Sequence, residues 1–157
     1  MSESQFCIGL ISDTHGLLRP QALAMLAGCQ HILHGGDIGD PAILQQLSSL
    51  APVTAVRGNN DCDAAYDAIP EAVTTALGGI VIHLLHDLKT LAIDPVHEGV
   101  QVVVSGHSHK PLIDQRGAVL YVNPGSAGPR RFSLPVSVAR LWLAQGQPCA
   151  ELLTLAV

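Results

Sequence analysis

Charged side chains are scarce in this sequence of 157 residues, and positively charged ones are few. Only 13% of the residues are Asp, Glu, Lys or Arg, and the eight Lys and Arg residues are scattered along a chain whose net charge is −5. A surface that binds nucleic acid needs a patch of cations, so this composition argues against a nucleic-acid partner. Apolar residues make up 48% of the chain, which argues against disorder and predicts a folded core.

Long apolar runs and paired cysteines are also missing. The first apolar run, residues 6–11, is too short for a membrane span and follows no basic segment. The four cysteines have no Cys-x-x-Cys spacing, which favours free thiols in a reducing compartment. We therefore expect a soluble cytoplasmic protein with no membrane partner.

The first half of the chain contains a regular alternation of apolar runs and helical segments. The predicted strands cover residues 6–11, 31–34 and 53–56, and the predicted helices cover 19–26 and 41–49. This alternation predicts parallel strands joined by right-handed crossovers, with their carboxyl ends at one edge of the sheet.

The second half consists mostly of strands. Gly78-Gly79 predicts a hairpin between strands 72–77 and 80–85, and Gln145-Gly146 predicts a closing hairpin. The other predicted elements are a helix over 88–99 and strands over 100–105, 112–115, 119–122, 136–143 and 150–157. We expect one domain over residues 1–157, with two sheets packed face to face and helices covering each sheet outside.

Metal-ligating residue types follow most of the predicted strands. Asp13 and His15 come directly after the first strand, and residues two apart on an extended segment point the same way. The other candidates also stand at strand ends beside glycine or a turn: Asp37, Asn59, His86, His107 and His109. A single Asp-x-His pair is more often a hydrogen-bonded loop, but five such clusters at strand ends predict a metal site.

The remaining histidines are less suited to metal binding. His83 lies within an apolar run and is expected in the core, while His31 and His97 are expected to have no role. His34 is close to Asp37 but lies on the strand itself. We expect it to be a hydrogen-bonded neighbour rather than a ligand.

Seven ligands are too many for one tetrahedral zinc ion and suit two ions that share a carboxylate. Asp37 lies between the other clusters in sequence and is the expected bridge. Two adjacent divalent ions can clamp a phosphoryl group and activate water near neutral pH. Nitrogen and oxygen ligands without thiolate favour Mn²⁺, with Fe, Zn, Ni or Co as alternatives.

These motifs, in this order, resemble those of the calcineurin-like metallophosphoesterases. Asn123-Pro124-Gly125-Ser126 is similar to the tail motif of the small single-domain phosphodiesterase branch, and the similarity spans roughly residues 8–126. The resemblance implies a four-layer α/β/β/α sandwich of two mixed sheets flanked by helices. It implies hydrolysis of small phosphate esters, above all phosphodiesters, by a hydroxide bridging two divalent metal ions.

The resemblance also implies a division of the ligands between the two ions. One ion would be held by Asp13, His15 and His109. The other would be held by Asn59, His86 and His107. Asp37 would bridge the two ions.

Two positions depart from the family pattern. Many members carry a histidine after the ligand asparagine as the general acid, whereas this chain has Asn60, which cannot deliver a proton. The enzyme would then favour good leaving groups, or water or neighbouring Asp61 would supply the proton. Asp87 replaces a glycine, and it could add a ligand, orient an imidazole or repel an anionic substrate.

Arginines near the motifs are candidates for phosphate contact, because a guanidinium binds phosphate with two parallel hydrogen bonds. Among Arg57, Arg130 and Arg131, the two after the tail motif are the better candidates, and Arg130 is taken with Asn60 and Asp61 as a catalytic candidate. A surface or salt-bridged arginine is an equally good interpretation.

Two other functions fit the sequence. One is a non-catalytic protein-binding scaffold, as in the retromer subunit of this fold, although here every ligand position carries a competent residue. The other is a two-metal amidohydrolase, against which the Gly-Asn-x-Asp and Asp-x-His motifs speak. Exposed strands of the second sheet leave formation of a homo-oligomer open.

Overall fold

The computed structural model describes residues 5–157, which form ten strands and two α-helices. The helices are α1 (Pro20–Leu26) and α2 (Ala42–Ser48). The strands are β1 (Cys7–Ile11), β2 (His31–His34), β3 (Val53–Ala55), β4 (Ala72–Leu77), β5 (Ile80–Leu85), β6 (Val102–Val104), β7 (Leu112–Arg116), β8 (Val119–Asn123), β9 (Ser137–Ala144) and β10 (Gln147–Thr154).

The strands form two mixed sheets of five. Sheet A has the order β10-β9-β1-β2-β3, in which β1, β2 and β3 are parallel and β9 and β10 are antiparallel to their neighbours. Sheet B has the order β4-β5-β6-β8-β7, in which β5, β6 and β8 are parallel and the two edge strands are antiparallel. The predicted α/β sandwich with two mixed sheets is confirmed.

The inner faces of the two sheets share one apolar core. Leu10 and Leu33 of sheet A belong to the same buried cluster as Leu84 and Val104 of sheet B. Aliphatic side chains of this kind pack densely between two sheets and bind the layers together. Nearly all of this core is Ile, Leu, Val and Ala.

Both α-helices cover the outer face of sheet A. Each buries residues four positions apart, Ala22 and Leu26 in α1 and Ile43 and Leu47 in α2, as expected for a helix with one apolar stripe. α1 begins at a proline, which needs no hydrogen-bond partner for its nitrogen at that position.

The helix predicted over residues 88–99 is wrong. Only a single 3₁₀ turn, Leu88–Thr90, forms there, followed by a turn in which Asp94 Oδ1 accepts a hydrogen bond from the backbone nitrogen of Val96. Pro95 explains the difference, because it disfavours helical geometry in the residue before it. The fourth layer of the sandwich is therefore an irregular segment whose leucines and isoleucine pack on sheet B.

The closing hairpin forms as predicted, but its second strand begins at Gln147, three residues earlier than expected. Gln145 and Gly146 both have positive φ, which is the geometry of a two-residue type I′ turn and pairs Gln147 with Ala144 at once.

Within residues 5–157, no helix is long and apolar enough to cross a membrane. The single domain boundary and the cytoplasmic location stay predictions.

Candidate metal centre

The loops that follow the parallel strands of both sheets meet at one edge of the sandwich. The backbone nitrogen of Asp13 donates to the carbonyl of Gly36 at 2.9 Å, which joins the loop after β1 to the loop after β2. The nitrogen of Gly106 donates to the carbonyl of His86 at 2.9 Å and joins the loops after β6 and β5. These bonds bring residues distant in sequence to one place.

The backbone at this edge is unusual. Five of the seven candidate ligands have the left-handed conformation: Asp13 (φ 56°), His15 (φ 46°), Asp37 (φ 55°), His107 (φ 72°) and His109 (φ 64°). A residue other than glycine in this region costs on the order of 1–3 kcal/mol, and such residues concentrate at functional sites. Asp13 and His15 therefore converge through two sharp turns. They do not lie along the extended segment that their spacing predicted.

The candidate ligands form two groups. In the Asp13 group, the ligand atoms of Asp13, His15 and His109 all lie within 4.8 Å of one another, and those of the Asp37 group, which contains Asp37, His86 and His107, do so too. Each group combines one carboxylate with two imidazoles, and each draws on loops of both sheets.

Asp37 belongs to one group but also faces a histidine of the other. Its Oδ2 atom is 3.2 Å from His86 Nε2 and 3.6 Å from His15 Nε2, so one oxygen faces an imidazole of each group. Asp13 Oδ1 is 3.5 Å from His109 Nε2 and 3.9 Å from His86 Nε2. A carboxylate in the position of Asp37 can serve two ions at once.

Hydrogen bonds fix the orientation of the ligand side chains. His86 Nδ1 donates to the carbonyl of Gly35 at 2.7 Å, which leaves Nε2 to face the centre. Asp13 Oδ2 accepts from the hydroxyl of Ser12 at 2.7 Å and from the backbone nitrogen of His107 at 3.0 Å. The other oxygen of Asp13 is left free for a cation.

The carboxylates and imidazoles at the centre shift one another's pKa values. Burial raises the pKa of Asp13. Burial also acts to raise the pKa of Asp37, but hydrogen bonds from His86 and Asn60 outweigh it and lower that pKa to about 2. Burial acts to lower the pKa of His86, but Asp37 and the carbonyl of Gly35 raise it instead. The carboxylate of Asp37 thus favours positive charge at His86, and a bound divalent cation would supply such charge.

Three buried atoms at the centre test whether the residues fit a cation. Asp13 Oδ1, His15 Nε2 and His109 Nδ1 have no hydrogen-bond partner among the described residues. Leaving such atoms unpaired costs free energy, on the order of 1–3 kcal/mol each, unless something binds them. These atoms belong to the Asp13 group, whose oxygen and nitrogen donors suit a divalent transition metal.

The structure places the remaining predicted site residues at different distances from this centre. Asn59 is exposed and lines a cleft of about 670 Å³ together with His86 and His107. Asn60 donates to Asp37 from its backbone nitrogen at 2.9 Å and from its side-chain amide at 3.3 Å, so it holds the Asp37 carboxylate.

Asp61 is buried and faces the backbone. Its carboxylate accepts hydrogen bonds from the nitrogens of Ile38, Gly39 and Gly58 at 2.9–3.3 Å. These bonds tie the loop after β3 to the loop after β2. Asp61 is thus engaged in holding the site together, which argues against its predicted catalytic role.

Of the three arginines, Arg57 lines the cleft, where it lies 3.7 Å from Glu71. Its Nε atom is buried without a hydrogen-bond partner among residues 5–157. Arg130 is exposed, and neighbouring Arg131 is close enough to add to the effect of burial in lowering the pKa of His109.

The other histidines behave as expected from the sequence. His34 is fully buried, accepts from the nitrogen of Gly36 at 3.0 Å and contacts the hydroxyl of Thr14 at 3.1 Å. Both ring nitrogens are engaged, so His34 supports the Asp37 loop and is not a ligand. His31 and His83 each contact a threonine hydroxyl on a neighbouring strand, and His97 is exposed.

Sequence reasoning missed several supporting residues. Ser12 holds Asp13, and the hydroxyl of Ser126 donates to the carbonyl of Asp13 at 3.0 Å. Asn123 donates to the carbonyl of Gly106 at 2.9 Å and to Ser108 Oγ at 3.2 Å. The tail motif thus braces both ligand loops. The tail motif and the serine next to Asp13 were the signals available in the sequence.

Comparisons with known proteins agree with this arrangement. A sequence model of the calcineurin-like phosphoesterase superfamily domain matches residues 6–146. A probable metallophosphoesterase of Methanocaldococcus jannaschii is 36% identical over 132 residues, which cover 76% of this chain and 67% of the relative. Another from Methanothermobacter thermautotrophicus is 33% identical over 147 residues, 85% of each chain.

Solved structures share the fold at lower identity. A predicted phosphoesterase from Streptococcus pneumoniae has a TM-score of 0.73 at 24% identity and covers 98% of this chain and 91% of its own. Vps29 from Entamoeba histolytica complexed with Zn²⁺ has a TM-score of 0.71 at 24% identity, with coverages of 95% and 99%. An archaeal phosphodiesterase has a TM-score of 0.70 at 20% identity, with coverages of 94% and 100%.

The family match spans most of the chain, and the two archaeal relatives align with most of it as well. The motifs that carry the resemblance are the ones that meet at the edge of the sandwich. This chain therefore belongs to the calcineurin-like phosphoesterase superfamily.

Proposed function

We propose that this chain is a phosphodiesterase that hydrolyses small phosphate diesters with the help of two divalent metal ions. The observation that carries the proposal is the position of Asp37 Oδ2, 3.2 Å from His86 Nε2 and 3.6 Å from His15 Nε2. An oxygen that faces a donor of each group suits a shared ligand. The structural similarity to an archaeal phosphodiesterase supports the choice of diesters.

The proposed division of ligands follows the two groups. Asp13, His15 and His109 would hold one ion, while His86, His107 and the exposed side chain of Asn59 would hold the other, with Asp37 shared. Two such ions supply activation of water and neutralisation of charge on the phosphoryl oxygens. The donors are oxygen and nitrogen atoms without thiolate, and such donors favour Mn²⁺ over softer metal ions.

This chain's own residues have defined tasks in the proposal. Asn60 and Ser12 hold the carboxylates of Asp37 and Asp13 in place. Arg57 supplies a positive charge in the cleft next to the Asp37 group and is our candidate for contact with a phosphate oxygen. The exposed Arg130 stays a prediction for the same task.

In this proposal neither Asn60 nor Asp61 protonates the leaving group. Asn60 has an amide, and Asp61 is bound to three backbone nitrogens. Loss of a general acid typically lowers rates by about 10²–10⁴-fold for poor leaving groups. We expect the rate to fall steeply as the pKa of the leaving alcohol or phenol rises.

The decisive experiment combines elemental analysis with a substrate panel. We expect purified protein loaded with Mn²⁺ to hold about two ions per chain and to hydrolyse bis(4-nitrophenyl) phosphate faster than the monoester 4-nitrophenyl phosphate. A chelator should stop turnover, and Mn²⁺ should restore it. Undiminished turnover in chelator, or preference for the monoester, would contradict the proposal.

A matched pair of variants ties the activity to the centre. His107→Ala should abolish turnover, whereas His97→Ala, an exposed histidine outside the site, should leave it unchanged. Equal melting temperatures would show that both variants fold. Full activity of His107→Ala would contradict the assignment of the Asp37 group as metal ligands.

A second candidate is a protein-binding scaffold without catalysis, which the structural similarity to Vps29 favours. In that case the purified chain would hydrolyse neither ester, and Mn²⁺ would leave its melting temperature unchanged. The membership of a phosphoesterase superfamily disfavours the amidohydrolase alternative.

A further inference from the structure

A second cavity, here called the side pocket, lies beside the Asp37 group on the outer face of sheet B. Its volume is about 590 Å³, within the range of pockets that hold small molecules. Its walls come from the 3₁₀ turn, the segment after the last ligand loop and strand β8. They include Leu88, Lys89, Lys110, Pro111, Leu112 and Tyr121.

The side pocket adjoins the cleft at the metal centre. Asp87 and His107 line both spaces, so the two meet at a candidate metal ligand. A molecule with its phosphoryl group at the centre would extend past His107 into the side pocket. The side pocket is therefore placed to bind an organic group attached to the reacting phosphate.

The chemistry of the side pocket differs from that of the cleft. The cleft is lined mostly by polar side chains and glycine, whereas Leu88, Pro111, Leu112 and Tyr121 give the side pocket apolar walls. Leu112 is 44% exposed, which is unusual for so large an aliphatic side chain and leaves apolar surface for a ligand to cover.

Two lysines complement this apolar surface. Lys89 and Lys110 are exposed and line the same pocket, so two ammonium groups lie beside the apolar walls. A ligand that carries both negative charge and a flat apolar ring would satisfy both features. Such a ring also buries much surface with few rotatable bonds.

We propose that the side pocket binds the aromatic group of a phosphate ester whose phosphoryl group lies at the metal centre. This inference rests on the proposed function and narrows its substrates to esters with an aryl or nucleobase substituent. It assigns Leu112 and the residues around it to substrate selection.

The test compares two diesters with the same leaving group, phenyl 4-nitrophenyl phosphate and methyl 4-nitrophenyl phosphate, in the Mn²⁺-loaded protein. We expect kcat/KM to be on the order of tenfold higher for the phenyl ester, the scale on which a small apolar group is recognised by a pocket. Leu112→Ser should reduce this ratio at least about threefold.

Ile113→Ser is the matched control. Ile113 follows Leu112 on β7, is 38% exposed and is not part of the pocket wall, because neighbouring residues on a strand point to opposite faces. The control should keep the ratio of the unaltered chain. An equal fall of the ratio in both variants would overturn the assignment of Leu112.

Calorimetry with phenyl phosphate and methyl phosphate tests the pocket without turnover. We expect phenyl phosphate to bind the unaltered chain on the order of tenfold more tightly, and Leu112→Ser to remove most of the difference. Equal affinities would overturn the proposal and leave the pocket to another occupant, such as a side chain of a partner protein. Hydrolysis of neither diester, with tighter binding of phenyl phosphate, would count against the proposed function but support the pocket.

Discussion

Gly58 lies directly against Asp37, so that a methyl group on the α-carbon of Gly58 would overlap the backbone nitrogen and Oδ1 of Asp37. The position is restricted by this contact and not by its own φ, which is outside the left-handed region. The loop after β3 can therefore approach the Asp37 carboxylate this closely only with glycine at position 58.

Gly58→Ala should displace Asp37 and weaken metal binding. We expect destabilisation of about 1–3 kcal/mol, the usual cost of overpacking, together with a loss of Mn²⁺ stoichiometry. Denaturant unfolding and elemental analysis measure the two effects. In Gly117→Ala, nothing lies near the added methyl group, so only the cost of its positive φ should appear and metal content should be kept.

Replacing the charge of Asp37 isolates its role between the groups. Asp37→Asn keeps the size of the side chain but removes the negative charge that faces His15 and His86. If two ions share Asp37, the metal content should fall below two ions per chain. Turnover should fall by at least about a hundredfold, because the loss of charge stabilisation raises the activation barrier by several kcal/mol.

The control for this variant is Asp114→Asn, on an exposed ion pair with Arg116. Surface pairs of this kind contribute little to stability, so metal content and turnover should be unchanged. Two tightly held ions in Asp37→Asn would show that another group bridges them.

Burial of His34 should make the metal-free fold sensitive to acid. Burial lowers the pKa of His34 to about 3 from 6.5, so below pH 6.5 the unfolded chain binds a proton that the folded chain excludes. The contribution of His34 to stability is present above pH 6.5 and is lost as the pH falls towards 3, by about 1.4 kcal/mol per pH unit.

Urea unfolding of chelator-treated protein at several pH values checks this effect. His34→Asn should be less stable near neutral pH but should lose stability more slowly as the pH falls. The histidines at positions 31 and 83, whose pKa values burial also lowers, are present in both proteins and cancel in the comparison. Parallel pH profiles would exclude His34 as the source.

The cysteines should differ sharply in reactivity. Cys62 is exposed in the cleft, whereas burial and the neighbouring Cys7 raise the pKa of Cys29 to about 12. Because the thiolate is the reactive form, a maleimide near neutral pH should label Cys62 first and leave Cys29 unlabelled, as mass spectrometry of peptides would show.

A bulky adduct on Cys62 should also block the cleft and reduce turnover. Cys62→Ser provides the comparison, since its turnover should resist the same treatment. Inactivation of that variant at the same rate would locate the sensitive thiol elsewhere.

Much of the site could be predicted because the ligands follow apolar strands. Asp13, His86 and His107 each stand within three residues of a strand end, and parallel strands bring such ends together. The grouping of Asp13 with His15 and His109, which the family resemblance implied, matches the donor group in the structure. The assignment of ions to these groups stays a prediction.

The supporting contacts could not be predicted, because they join positions that are far apart in the sequence. The carboxylate of Asp61 binds backbone nitrogens 22 and 23 residues away, and the side chain of Asn123 reaches Gly106, 17 residues away. The left-handed conformations of Asp13 and His15 likewise differ from the extended segment that their spacing predicted. The missing helix after β5 shows the opposite case, in which one proline decided the local geometry.

Each donor group takes its atoms from both sheets: Asp13 and Asp37 follow strands of sheet A, and His86 and His109 follow strands of sheet B. A cation bound in either group would therefore cross-link the two sheets of the sandwich. Protease resistance and the rate of global unfolding would then report on cation occupancy, even in a variant unable to turn over any ester.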